Sequence, residues 1–394
     1  IIFHFSPGEH SQVFGHLQLV HHPINKKLEH FFSLFCDELS CEKENSDSFH
    51  VVISELPDLP EDPERTVLGR HPERPSQELT LAVVGEVRGE LEPCGCPTLP
   101  FGGFERRATL LKQLSEKGPG PVFHLDAGDT LIKGFATKRE DSVRTRAHEI
   151  LRLGEMVGVD VWVPGPSDLV ALKASTLRHA AGPPRISATW TDATGNHLLK
   201  PSIIIERDGI RLGVIGLSAA PPPDSGLLMK PPIQAVTDAL TALPADLDMV
   251  VGLGTITDTQ AEAIASQVKG LTAVITTRGA AYEAPSHKGE QTPVIETPDR
   301  GRYLQVIHAR LGATSRAPLL LYPDPPTWRA RLAATRRGEP DKLSEVGRGR
   351  NLGLVSTIPL SADLAEPSAV SDRLATYRGQ RLASAEARAT KTSP

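Results

Sequence analysis

Two polar loops, each following a short apolar run, carry the residues best suited to chemistry. The first follows Leu79-Thr80-Leu81-Ala82-Val83-Val84 and reads Gly85-Glu86-Val87-Arg88-Gly89-Glu90-Leu91-Glu92-Pro93-Cys94-Gly95-Cys96. The second follows Val122-Phe123-His124-Leu125 and reads Asp126-Ala127-Gly128-Asp129-Thr130. Apolar strands that run out into glycine-containing polar loops build one edge of an α/β active-site floor, because ligands in such sheets bind beyond the carboxyl ends of the strands. Cys94 and Cys96, one residue apart, can share a soft metal or form a strained, reducible disulfide. Pro93 and Pro97 bracket and stiffen that loop. The readings are a redox switch, half of a metal site that needs donors from elsewhere, or a thiol pair that only shapes the loop.

Regular strand–helix alternation must position these loops. A third loop, Phe101-Gly102-Gly103-Phe104-Glu105-Arg106-Arg107, leads into a helix predicted over 104–117 with Leu110, Leu111 and Leu114 on one face. Arg106 and Arg107 read as first-turn residues that pair with nearby acids. A helix over 143–157 and a strand over 159–163 follow, and Asp168 can cap the next helix. A short strand is expected over 185–188. Asp208-Gly209 between two apolar runs signals a hairpin of 202–206 with 210–216. Helices over 231–242 and 258–269 alternate with strands over 249–253 and 272–275. Extended segments cover 292–297, 302–311 and 318–322, and an exposed helix is expected over 367–388. His124, inside an apolar strand, reads as a core histidine bonded to backbone. The rhythm gives a mixed sheet with helices outside.

The 394 residues are 39% hydrophobic, which supports a real core. Aromatics at 5% make base-stacking surfaces a poor reading, and the net charge of −5 argues against a nucleic-acid or anionic-membrane binder. No apolar run approaches the roughly 18 residues of a membrane span. Four cysteines, Cys36, Cys41, Cys94 and Cys96, are too few for a disulfide scaffold and lack the spacing of a zinc ribbon. Eight of the 14 histidines lie in residues 1–78. That stretch, with a short amphipathic helix over 28–35 and a Pro-, Glu- and Arg-rich run over 57–77, is expected to be a loosely ordered extension and linker. Residues 1–30 lack the charged, apolar and cleavage regions of a secretory signal, so localisation is not read directly. The expected organisation is an extension over 1–78, the main domain over 79–322 and an irregular tail with a helix over 323–394.

The order of motifs over Leu79 to Tyr322 resembles the calcineurin-like metallophosphoesterases of the 5'-nucleotidase type. The resemblance rests on Arg88-Gly89-Glu90-Leu91-Glu92-Pro93, Gly102-Gly103-Phe104-Glu105-Arg106-Arg107, Leu125-Asp126-Ala127-Gly128-Asp129-Thr130, Ile210-Arg211-Leu212-Gly213-Val214-Ile215-Gly216-Leu217 and Gly301-Arg302-Tyr303-Leu304. The Glu-Pro-Cys-Gly-Cys loop is similar to a bacterial envelope-associated branch, which implies a periplasmic or cell-envelope location. The family implies a four-layer αββα sandwich of mixed sheets and two divalent metals (Mn, Zn or Mg) that activate a hydroxide for attack on phosphoesters. Its ligands follow five patterns, D-x-H, G-D, G-N-H-[D/E], a lone His, and G-H-x-H. Here the corresponding positions read Glu86-Val87-Arg88, Gly128-Asp129, Gly165-Pro166-Ser167-Asp168, Gly252-Leu253-Gly254-Thr255 and Thr277-Arg278-Gly279-Ala280.

Only Glu86, Asp129 and Asp168 remain to bind a hard cation, and arginine cannot ligate one. No histidine occurs between His197 and His287. Arg88 and Arg278 stand where ligand histidines are expected. They can neutralise Glu86 and Asp129 as an ion-pair network, or offer a fork to a small anionic or phosphorylated ligand. The expectation is a degenerate domain in a binding or accessory role, with a protein partner allowed, no nucleic acid and no integral membrane segment. The alternatives are an active phosphoesterase using one metal on nucleotides or related phosphoesters, and a thiol-redox or metal-carrying role for Cys94 and Cys96.

Overall fold

The computed structural model describes residues 2–7, 13–18, 41–45, 48–53, 77–94, 100–118, 120–133, 140–279, 291–298, 300–312, 316–322 and 351–392. The helix expected over 28–35 and residues Cys36 and Cys96 lie outside these. The chain divides into two units, Ile1–Gly69 and Arg70–Pro394. In the first, β1 (Ile2–Pro7), β2 (Val13–Gln18), β3 (Cys41–Asn45) and β4 (Ser48–Ile53) form an antiparallel sheet in the order β1-β2-β4-β3.

The second unit begins with β5 (Gln77–Val84), α1 (Phe104–Lys117), β6 (Val122–Asp126), α2 (Glu140–Met156), β7 (Val161–Trp162), α3 (Pro166–Ala171) and α4 (Ala174–His179). It continues with β8 (Trp190–Thr191), β9 (Ser202–Arg207), β10 (Ile210–Leu217), β11 (Leu228–Met229), α5 (Pro232–Ala242), β12 (Met249–Gly254), α6 (Asp258–Gln267) and β13 (Ala273–Gly279). It closes with β14 (Val294–Pro298), β15 (Tyr303–Leu311), β16 (Leu319–Tyr322), β17 (Asn351–Pro359) and α7 (Ala369–Thr392).

Two mixed sheets result. One runs β16-β17-β15-β5-β6-β7, the other β14-β13-β12-β10-β9. Strands buried on both faces read as continuous apolar runs, and β5 follows that rule. Its Leu79, Leu81 and Val83 join Leu125, Leu253 and Ile275 in the core between the sheets, while Ala82 and Val84 face the helices. The helices α1, α2 and α7 cover the first sheet, with Leu110, Ile150 and Leu374 in one outer core. The helices α5 and α6 cover the second, with Val236 and Ile264 in the other. The four layers expected from the resemblance are present. The Asp208-Gly209 turn closes the β9–β10 hairpin, both residues at positive φ, 51° and 77°.

Three expectations need correction. The strand expected over 185–188 amounts to isolated bridges, Trp162 with Arg185 and Ile186 with Lys200. The stretch after 322 is not all tail: β17 lies between β15 and β16, and α7 is not simply exposed, since Val370, Leu374 and Tyr377 are buried. Arg106 bonds backbone carbonyls rather than acids, donating to Pro100 and, at 3.1 Å, to Leu360. His124 matches its reading: it is 3% exposed, and Nδ1 donates to the Val157 carbonyl at 3.2 Å.

Candidate functional site

The loops beyond β5 and β6 are laced together by main chain. Glu86 N–H donates to the Gly128 carbonyl (2.7 Å), Arg88 N–H to Asp129 (3.1 Å) and Gly89 N–H to Thr130 (2.9 Å). Lacing at this pitch needs left-handed backbone, and three non-glycine residues adopt it: Glu86 (φ 46°), Arg88 (52°) and Asp129 (51°). Such conformations carry a local cost and persist where the surroundings over-determine them. Gly128, at φ 102°, is required for a second reason: a Cβ there would lie 2.1 Å from the Val163 carbonyl oxygen.

The acidic side chains in this corner all have partners. Arg88 Nη2 donates to Glu86 Oε2 at 2.5 Å, with the Glu86 side chain 5% and the Arg88 side chain 34% exposed. Asp129 Oδ1 accepts from Ser167 Oγ (2.7 Å) and Ser167 N–H (3.0 Å). Asp168 is fully buried, and both its oxygens take backbone donors: Thr130 N–H (2.9 Å) and Leu131 N–H (2.7 Å) on Oδ1, Gly165 N–H (2.8 Å) on Oδ2. It thereby takes the N-cap N–H of α3. Asp126 Oδ1 accepts from Thr130 Oγ1 (2.7 Å) and Gly128 N–H (3.0 Å).

Burial dominates the electrostatics. It pushes the Asp168 carboxyl well above the usual carboxylate range, and the neighbouring Asp129 charge adds to the rise. Burial also raises Asp126, against the Thr130 hydroxyl and the Arg107 charge. Arg107, 1% exposed, sits over the Phe104 ring at 4.3 Å, and desolvation lowers it to about 10. Its Nε and Nη1 have no hydrogen-bond partner among the described residues.

The second sheet contributes hydroxyls. Thr255 Oγ1, beyond β12, accepts the Ala219 N–H at 2.9 Å. Thr277 on β13 and Thr297 on β14 are buried, and their hydroxyls have no partner among the described residues. Gly85 brings the sheets together here, for a Cβ would lie 2.5 Å from Thr297 Oγ1 and 2.7 Å from Thr277 Cγ2.

Glu86, Arg88, Asp129 and Asp168 therefore meet at one corner. The backbone of Arg278 lies on β13, and its side chain is outside the described residues. Cys94 is half-buried, its N–H on the Phe101 carbonyl at 2.9 Å. Sequence reasoning missed the positioning work of Ser167 and Thr255. The available signal was that each follows an apolar strand at its carboxyl end. Among the described residues no group of three or more His, Cys, Asp and Glu side chains is placed to hold a metal ion. No helix among them is long and apolar enough to cross a membrane.

No protein-family model matches the chain, and no curated protein matches it. Solved structures do. A 5'-nucleotidase precursor from Thermus thermophilus superposes with a TM-score of 0.55 at 15% identity, over 78% of this chain and 59% of that one. The sulfate thiohydrolase of the same organism gives 0.56 at 17% identity, over 78% and 61%. A calcineurin-like phosphoesterase from Bacillus subtilis gives 0.55 at 16% identity, over 78% and 98%. The chain thus spans about three fifths of the length of the first two and nearly all of the third. The fold of this chain is the metallophosphoesterase fold.

Proposed function

We propose that this chain is a degenerate member of the 5'-nucleotidase-like metallophosphoesterases, catalytically impaired and serving a binding or accessory role. The observation that carries the reading is the Arg88–Glu86 pair at 2.5 Å, on the loop where the fold's first metal ligands are expected. A two-metal centre needs some eight donors, mostly imidazole and carboxylate. The described residues do not fit one: Glu86 faces a guanidinium, Asp129 takes Ser167, and both oxygens of Asp168 take backbone N–H groups. In this reading Arg88 supplies the positive charge beside Glu86, Asp168 is a strut, and the hydroxyls of Thr255, Thr277 and Thr297 fill the opposite wall. The partly exposed Arg88 is the group offered to a small anionic ligand, with Arg278 as its proposed companion.

The test is metal content of the purified full chain after loading with Mn²⁺ and Zn²⁺, alongside hydrolysis of bis(4-nitrophenyl) phosphate and AMP. The expected result is no tightly bound metal and no turnover above solution. Two metals per chain, with turnover lost in Asp129→Ala, would overturn the reading in favour of an active phosphoesterase.

A further inference from the structure

On α7, Leu374, Tyr377, Arg378, Arg381 and Leu382 recur at spacings of three and four and so share one face. Leu374 and Tyr377 are buried at 3% and 5% exposure, whereas Leu382 is 65% exposed. The stripe outruns the part of the body that covers its first half. Between it and the loop Gly89–Pro93 lies an open groove of about 570 Å³, with Arg146 on its wall. That volume falls in the usual range for small-molecule sites.

The charge in the groove is unbalanced. Its two carboxylates are matched: Arg300 Nη2 donates to Glu90 at 2.9 Å, and Arg378 Nε donates to Glu92. Arg146 donates to the Gly89 carbonyl at 3.3 Å and has no carboxylate partner among the described residues. Arg381 forms no ion pair among them either. Two guanidiniums thus line a half-open cleft beside the paired Glu90 and Glu92, and Leu91, Pro93, Leu374 and Leu382 give it apolar wall. Guanidinium forks match phosphate and carboxylate, and an exposed leucine beside them gains from covering an apolar body.

We propose that this groove binds a small amphiphilic anion, with Arg381 and Arg146 on the oxyanion and Leu382 and Leu91 against the apolar body. The groove wall continues directly from the loop that carries Glu86 and Arg88, yet the site is distinct from theirs and holds whether or not that corner binds metal.

Calorimetric titration of the full chain with phenylphosphonate tests it, with inorganic phosphate as the probe lacking an apolar body. Arg381 and Leu382 are exposed, so Arg381→Glu and Leu382→Ser leave the fold intact, which thermal unfolding checks. Phenylphosphonate should bind saturably and more tightly than phosphate. Arg381→Glu should weaken it about tenfold, and Leu382→Ser about threefold without changing phosphate binding. Arg88→Gln removes any contribution from the Glu86 corner and should leave the component that depends on Arg381 and Leu382 in place. Wild-type affinity in Arg381→Glu with binding lost in Arg88→Gln would move the ligand to the Glu86 corner and overturn the proposal. Absence of saturable binding to the wild-type chain at millimolar phenylphosphonate would overturn it too.

Discussion

The two sheets end differently at the candidate site. Beyond β5 and β6 the first sheet carries carboxylates on left-handed backbone, and Asp168 and Asp126 hold main-chain N–H groups of the very loop that presents Asp129. Beyond β12, β13 and β14 the second sheet presents threonines, two of them with hydroxyls lacking a partner among the described residues. A carboxylate that also organises main chain cannot leave without unravelling its loop. A side chain that works only toward a ligand can be replaced by anything that fills the space. In the proposed reading this is why carboxylates persist beyond β5, β6 and β7, while the expected imidazoles are missing from both sides.

That contrast is broken most directly at Asp168. Asp168→Ala strips the acceptor from three buried N–H donors, and chemical denaturation should register a loss of more than about 3 kcal/mol. Asp168→Asn keeps one carbonyl oxygen and should fall short of that. A loss below about 1 kcal/mol in the alanine variant would mean the first-sheet loop is held by something else.

Next in size is a pH effect on the first sheet. Burial, and then the Arg107 charge, push His124 down to about 3. The unfolded chain binds that proton near the ordinary histidine value and the native chain does not, so stability falls as pH drops from about 6.5 toward 3. His124→Gln should remove about 3 kcal/mol of that fall by pH 4. Asp126 and Asp168 act with the opposite sign: raised by burial, they contribute most at low pH, and that contribution is lost as pH rises through their native values. Urea titrations of both chains across pH 4–7 isolate the histidine component.

Where the sheets touch, Gly85→Ala should cost about 2 kcal/mol by overpacking, and a Thr297→Ala background should return part of it. The smallest effects sharpen the second-sheet side. Thr255→Val orphans the Ala219 N–H and should cost about 1–2 kcal/mol, whereas Thr277→Val removes an unpartnered hydroxyl and should change stability by less than about 0.5 kcal/mol. Equal losses at both would erase the distinction between a strut and a filler.

Local pattern made most of the scaffold legible. The α1 helix occupies the span that its leucine spacing predicts, and the Asp208-Gly209 turn joins the expected strands. The corner was legible as a set of positions, since Glu86, Asp129 and Asp168 end or follow successive strands. Their bonding was not, because it depends on partners as many as 38 residues away, as between Asp129 and Ser167. Gly85 looked like a loop glycine until β14 was known to lie against β5. Residues 351–359 escaped for a similar reason: with half-buried positions and basic surroundings, their pairing with β15 and β16 comes from the sheet and not from their own pattern.

That late strand has a consequence for how the chain is made. β15 pairs with β5 on one side and, over eight residue pairs, with β17 on the other. Among the described residues β17 is the partner of that second edge and of β16, so during synthesis both wait for residues 351–359 to emerge. Exposed edges of this kind template association with other chains. The main domain is therefore committed to a late closure, and a nascent or truncated chain that stops before Asn351 presents that edge to chaperones or to its neighbours.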